Sequence, residues 1–474
     1  MHILIISAFV ILFLREPLLD GRMPLLLQEL GPISASLTVW GLMALVWAAS
    51  HLAIAFQVRR MDLGRPNTVV WSDRILLMSR CAALVVHACA ILLLGWHDIV
   101  QRGLGDLILV DEFVAVLPLV LALLGGWWSM YPVERRIREA MLLRDLEFGR
   151  MVRPIPGRTA HVVSTARHHA ALVFVPIMII LAWREVIELS ATRGMLPAWM
   201  PVEGLQFAGA ILALTLMPLV LRRVWDTIDL EPGPLREDLI AMCREHGVRI
   251  RDVLLWRTHG TMINGAVMGL IGPARYVMLT DALLEMLPGD QVRAVMAHEL
   301  GHIRRRHLPW LFAAAVCSMI LAWVAASLSI AVLAPDWSES SAGQSLILVT
   351  GLVVGLVVFG FVSRRFEWQA DAFAVQHLSG WRGRPDQRDL AISEQAVLSM
   401  TDALGAVAIL NHIPRHRFTW RHGSIASRQQ KLMRLIGRPA GCLQPDRAAV
   451  VVKAMISAAL AGVAALMLLD YLSS

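Results

Sequence analysis

Long apolar runs recur along the whole chain, and they constrain it more than any other feature. A hydrocarbon core about 30 Å thick takes about 20 mostly apolar residues in helical form. Runs of that length lie near 36–56, 75–95, 107–130, 170–188, 203–221, 309–334, 344–362 and 449–470. The opening run 1–14 is shorter and lacks both a basic leader and a small-residue cleavage site, so it reads as a retained first span rather than a cleaved signal peptide. Such a chain is a polytopic α-helical membrane protein. Its composition agrees, with 57% apolar and only 17% charged residues.

The net charge of +7, from 44 basic against 37 acidic residues, raises the question of a polyanionic partner. The distribution answers it, because the charges fall in loops between apolar runs, where they orient a chain in a bilayer. No nucleic-acid partner is expected. The loop 57–74 carries four arginines and 131–169 carries eight, whereas 96–106 and 189–202 carry one each and 335–343 none. By the positive-inside rule, 57–74, 131–169, 222–308 and 363–448 are cytoplasmic. The segment 15–35 fits less well, since it falls outside yet contains Arg15 and Arg22. Five cysteines form no CxxC pair and three of them, Cys81, Cys89 and Cys317, lie within apolar runs, so neither a disulfide framework nor a thiolate metal site is indicated.

The resulting organisation is an N-terminal transmembrane region 1–221 of about six spans, a first folded stretch 222–308, a transmembrane hairpin 309–362, a second folded stretch 363–448 and a C-terminal helix 449–474. In the first stretch a helix is expected near 234–246, extended segments near 248–257, 262–269 and 274–280, and a helix from about 290 to 306. The second stretch reads as mainly helical. Arg80 and His87 in the third span and Asp111 and Glu112 in the fourth are costly at membrane depth, and two readings stay open for them: lining a chamber, or snorkelling to an interface. The arginine-rich run 134–158 reads as a cytoplasmic amphipathic or linker segment against anionic lipid.

The residues that carry chemistry are His298-Glu299-Leu300-Gly301-His302. Four residues apart on a helix, both imidazoles meet one side, where they can share a metal ion, and Glu299 projects close enough to act on its water. A catalytic zinc takes three protein ligands and leaves a position for water, so a carboxylate should follow. Glu367 supplies it, at the foot of the eighth span, with Asp371 one turn further to hold an imidazole or pair with an arginine. One zinc ion per chain is expected.

The stretch 230–436 resembles a known family, the integral-membrane zinc metallopeptidases that include the HtpX heat-shock protease and the CAAX prenyl endopeptidase. The resemblance rests on the lead-in Asp290–Ala297 before His298, on Ser363-Arg364-Arg365 before Glu367 and Asp371, and on Asn264-Gly265-Ala266 followed by Gly269 and the strand Tyr276–Thr280. It rests also on His422, Arg428 and Leu432, spaced as in a late family motif in which Gly423 stands where proline is usual. The resemblance implies a cytoplasmic α+β zincin-like metallopeptidase domain. It implies that Asn264 and the edge strand with Ala266 hold substrate backbone, that His422 steadies the oxyanion and that Arg428 binds Asp371. His412 and His416 compete with His422 for that role.

Together these readings predict a zinc-dependent endopeptidase at the cytoplasmic face. Its partners would be the bilayer and a peptide or membrane-protein substrate, with misfolded membrane proteins favoured. The arginine-over-lysine bias points to a bacterial inner membrane. Two other functions compete: a receptor-type signalling metallopeptidase, and an inactive scaffold or transporter. The first would want a large external domain, and no external loop exceeds about 20 residues on this span assignment. The second has no physical need for an intact His298, Glu299, His302 and Glu367.

Overall fold

The computed structural model describes the whole chain except residues 1, 20–23, 106, 148–153, 170, 198, 261, 339, 412 and 474. Two compact units divide it, residues 1–217 and 218–474.

The first unit is helical: α1 (His2–Leu19), α2 (Leu25–Asp62), α3 (Thr68–Leu92), α4 (Trp96–Leu104), α5 (Val110–Glu147), α6 (Arg158–His169), α7 (Ala171–Thr192) and most of α8 (Val202–Val224). The helices α2, α3 and α5 pack on one another, and α1 lies against α3 and α7. The helix α2 is interrupted at Gly31, whose φ of 73° precedes Pro32. His87 is 1% exposed and its Nε2 lies 3.3 Å from the Ala8 carbonyl, while Asp111 is fully buried and accepts from Gln101 Nε2 at 2.9 Å. Both groups therefore face the helix bundle, and the snorkelling reading does not hold for them. Arg15 pairs with Asp98.

Among the described residues, seven helices are long and apolar enough to cross a membrane: α2, α3, α5 and α8, and later α12, α14 and α17. The stretch expected as a span at 170–188 is α7, which meets α6 at a 57° bend, and α1 holds a shorter apolar helix over Leu4–Arg15. The segment 131–169, read as a loop, is largely helix, since α5 runs on to Glu147 and α6 begins at Arg158. Beyond the apolar part, α5 is continued by i,i+4 pairs, Arg135 with Glu139 at 2.7 Å and Arg138 with Glu134 at 3.7 Å.

The second unit holds β1 (Thr227–Asp229), α9 (Pro234–Glu245), β2 (Asp252–Trp256), β3 (Gly265–Met268), β4 (Tyr276–Thr280), α10 (Asp281–Met286), α11 (Gly289–Arg304), α12 (His307–Leu333), α13 (Pro335–Ser338), α14 (Ser341–Leu378), α15 (Glu394–Leu410), α16 (Ile425–Met433) and α17 (Gln444–Ser473). The strands form one sheet in the order β1-β2-β4-β3, with β2 and β4 parallel and the two outer pairings antiparallel. Leu239, Val253, Val277, Leu279, Leu283, Met296, Leu300 and Phe373 share one core with residues of α15 and α16. This is an α+β domain built around the α11 helix.

The helix α14 ties that domain to the spans. At 1.5 Å per residue its 38 residues reach about 57 Å, nearly twice the hydrocarbon thickness. Its first part exposes Val353, Leu356, Val357 and Phe361, whereas Phe366 to His377 are almost wholly buried in protein. One helix thus crosses the lipid and then serves as a core element. Near the foot of the spans Leu311, Ala314, Val362, Phe366, Ala449 and Val452 pack together, joining α12, α14 and α17.

Candidate active site

The site forms where α11 crosses α14. The crossing is close because residue 301 has no side chain: a Cβ there would lie 3.2 Å from both Ala370 Cα and Phe373 Cβ. This approach faces His298 and His302, one turn apart on α11, with Glu367 and Asp371, one turn apart on α14. The two Nε2 atoms are 3.2 Å apart. His298 Nε2 lies 3.6 Å from Glu367 Oε2, and His302 Nε2 lies 3.6 Å from Glu367 Oε1. One ligand atom from each of the three residues falls within 4.8 Å of the others.

The surroundings suit a cation. The far nitrogen of His298, Nδ1, is 3.0 Å from Asp371 Oδ1. Asp371 is fully buried, and Arg428 donates to both its oxygens from Nε at 2.8 Å and Nη2 at 2.6 Å. Arg428 Nη1 also reaches Glu367 Oε2 at 3.4 Å. Ser424 Oγ caps α16 by accepting from Ser427 N at 3.3 Å, which fixes the turn that carries Arg428. Two nitrogens and a carboxylate, with their outer partners in place, are a donor set that fits zinc.

Burial acts on the ionisable groups of α11. It pushes the Glu299 carboxyl up to about 7, against the attraction of His298, and draws His302 down to about 4. For His298 burial works downward, but the Asp371 carboxylate more than reverses it and the imidazole is raised. A half-buried Glu whose pKa is raised to about 7 is suited to take up and release a proton near neutral pH.

His422 is half-exposed and its Nδ1 lies 2.9 Å from Glu367 Oε1. It sits in a tight loop closed by Thr419 N to Gly423 O at 3.1 Å and Gly423 N to Thr419 O at 2.9 Å. Gly423 has φ of +76°, a value closed to proline, whose ring holds φ near −65°. The glycine is therefore required by this loop. Of its competitors, His416 is exposed and makes no ion pair with Glu367 among the described residues, and His412 lies outside the described residues.

On the sheet side β3 is an edge strand. It passes close to the general-base candidate, since a Cβ on Gly265 would lie 3.8 Å from Glu299 Cγ. Asn264 is exposed, and its backbone is tied to β4 through Thr280 N to Asn264 O at 3.0 Å. Backbone groups alternate along an antiparallel strand, so Ala266 shares the inward set with Asn264, while Gly265 and Val267 turn theirs toward the free edge. Asn411 holds the entry to β3, accepting from Ile263 N at 2.9 Å and donating to Ile263 O at 2.7 Å. The sequence gives no local signal for Asn411, which is separated from its partner by 148 residues.

A second grouping, Glu245, His246 and His377, also brings three ligand-type side chains together. Its carboxylate is committed to Arg382 at 2.8 Å, and His246 Nε2 is 2.8 Å from His377 Nδ1. Burial draws His246 down to about 4, with Arg382, Arg304 and Arg305 adding to the effect and Glu245 opposing it. This is a neutral hydrogen-bonded pair in a cationic setting, with its neighbouring carboxylate already held by an arginine.

Residues 245–412 match the sequence profile of peptidase family M48. A Protease HtpX homolog of Aeropyrum pernix is 28% identical over 191 residues, which cover 36% of this chain and 58% of that protein. A CAAX prenyl protease 1 homolog of Oryza sativa is 25% identical over 185 residues, covering 36% and 43%. The chain thus spans about half the length of the curated relatives it matches. Among solved structures, that of S. mikatae Ste24p aligns at a TM-score of 0.45 and 12% identity over 84% of this chain and 99% of that one.

Proposed function

We propose, from the premise that residues 245–412 are a peptidase family M48 domain, that this chain is a membrane-embedded zinc-dependent endopeptidase. The observation that carries the reading is the convergence of His298 Nε2, His302 Nε2 and the Glu367 carboxylate beside Glu299. Zinc bound there would polarise a scissile carbonyl and bring the pKa of a coordinated water toward about 7. Glu299 takes the proton of the attacking water on its carboxylate and delivers it to the leaving amine nitrogen. His422, next to Glu367, is placed to donate to the oxygen that gains charge, and Arg428 with Asp371 keeps the carboxylate side of the site fixed. The free edge of β3 accepts an extended peptide through Gly265 and Val267, which favours loose sequence selectivity.

The substrate class follows from position. His302 is five residues from the start of α12, and Glu367 stands on the same continuous helix as a span. Membrane-associated or misfolded membrane proteins meet such a site more readily than free soluble chains do. The positive-inside rule supports a site at the cytoplasmic face, and the arginine-over-lysine bias supports a bacterial inner membrane.

The test compares cells and purified protein carrying the native chain with Glu299→Gln. Detergent-purified native chain should cleave a casein-like substrate in a chelator-sensitive manner, and the variant should be slower by about 10²–10⁴-fold. Fragments of membrane proteins should disappear from the variant's cells. Equal cleavage by both chains would end the enzymatic reading, and loss of soluble fragments alone would overturn the substrate class.

A further inference from the structure

The two imidazoles differ in what holds their far nitrogens. His298 Nδ1 faces a carboxylate directly, at 3.0 Å from Asp371. His302 Nδ1 instead faces another imidazole, His307 Nδ1, at 2.9 Å. Between two ring nitrogens one must carry the hydrogen and the other the lone pair, and their separation does not say which.

The answer lies at the other end of the chain of contacts. His307 Nε2 is 2.9 Å from Gln369 Oε1, and Gln369 Nε2 is 2.7 Å from Asp446 Oδ1. An ionised carboxylate only accepts. Asp446 also accepts from Gln376 Nε2 at 3.0 Å and lies 3.0 Å from Arg305 Nη2, so its charge is well supported. Gln369 must then turn its amino group to Asp446 and its carbonyl to His307. His307 Nε2 must carry the hydrogen, which leaves the lone pair of the neutral ring on Nδ1. His302 Nδ1 donates to that lone pair, and the remaining lone pair of His302 sits on Nε2, toward Glu367.

The surroundings hold His307 in place. It is 1% exposed and stacked on Phe366 with centroids 4.4 Å apart and planes within 6°. Lys453 lies 5.6 Å from the same Phe366 ring and donates to Arg305 O at 2.7 Å, tying α17 to the end of α11. The chain reaches this position through Arg306, whose φ of 54° is the left-handed turn between α11 and α12. A non-glycine residue is uncommon there, and the turn brings His307 back against His302.

We propose that His307, Gln369 and Asp446 are positioning residues that fix His302 in the Nδ1–H form, so that its Nε2 is presented to the metal. This rests on the reading of His302 as a metal ligand. Both imidazoles are then oriented by a carboxylate, His298 by Asp371 at first hand and His302 by Asp446 through a glutamine and a histidine. The relay draws on α12, α14 and α17, so the last helix of the chain takes part in setting the metal site.

The test is zinc titration of the full chain in detergent, stripped of metal and competed with a chromogenic chelator. His307→Phe keeps a ring for the Phe366 stack and removes the acceptor, and should weaken zinc binding about 10–100-fold. His307→Asn places an amide oxygen where Nδ1 stood and should restore affinity to near the native value, although it loses the stack. Gln369→Met, which leaves the histidine in place but unfixed, should weaken binding in the same direction and serves if His307→Phe does not fold. Native-like affinity in His307→Phe or Gln369→Met would overturn the relay. Equal weakening in His307→Phe and His307→Asn would overturn it too, because packing alone would then explain the residue. If the native chain itself takes up no zinc, the metal reading fails and the relay with it, whereas failure of the relay alone leaves tight zinc binding in the native chain.

Discussion

Residues 1–217 and 218–474 both bury polar groups, but they arrange them differently. In the first unit the groups meet in small separate sets: His87 with a backbone carbonyl, Arg15 with Asp98, and Asp111 with Gln101, His97 and Glu112. In the second unit Asp371, Arg428, Glu367, His298 and His302 share partners and converge on one point. Such small sets are what assembling helices in lipid requires, since each group needs a partner but no common focus. Convergence costs more, because like charges and buried charges are crowded together, and it persists only where the network is complete. The difference teaches where to look for chemistry in a polytopic chain: where shared partners include ligand-type side chains converging on one point, rather than at intramembrane charges as such.

The sharpest way to break this comparison is to remove one shared partner. Arg428→Ala leaves the fully buried Asp371 without its guanidinium, and such a loss costs about 3–5 kcal/mol. Detergent-state unfolding should show a large fall in the midpoint, with zinc uptake impaired. Arg136→Ala, which removes the exposed pair to Asp62 at 2.6 Å in the first unit, should leave the midpoint unchanged. Equal effects would dissolve the distinction between the buried network and an isolated exposed pair.

A smaller effect sharpens it from another side. His246 is held near 4 against an ordinary 6.5, so the unfolded chain takes up the proton first as the solution is acidified. Stability is full above about pH 6.5 and declines as the pH falls from there toward about 4. Glu245, Arg382, Arg304, Arg305 and His377 surround that imidazole, and all of them belong to the second unit. His246→Gln should flatten this part of the midpoint-against-pH curve, and an unchanged slope would show that the buried pair does not control acid sensitivity.

Much of the site was legible because helix geometry is local. His298 and His302 are one turn apart in sequence and therefore in space, and Glu367 and Asp371 repeat the same step. The pairing of Asp371 with Arg428 spans 57 residues and was reached only through resemblance. His307, Gln369 and Asp446 were not reached at all, because their contacts cross 62 and 77 residues and depend on how three helices pack. The spans were legible by apolarity, but their lengths were not. Apolarity marks only the part that lipid accepts, and α5 and α14 continue beyond it on charge pairs and on protein contacts. Gly423 shows the same limit at the scale of one residue: a departure from the expected proline was visible, but only the backbone explains it.

Metal content of the purified full chain tests the central claim most directly, measured for the native chain and for Glu367→Ala after equilibration with limiting zinc. About one zinc per native chain, and less than about a tenth of that in the variant, is the expected result for a site whose third ligand is lost. A Glu367→Ala chain that retains its zinc in full would contradict the account, because the carboxylate that joins α14 to the two imidazoles of α11 would then not be a ligand.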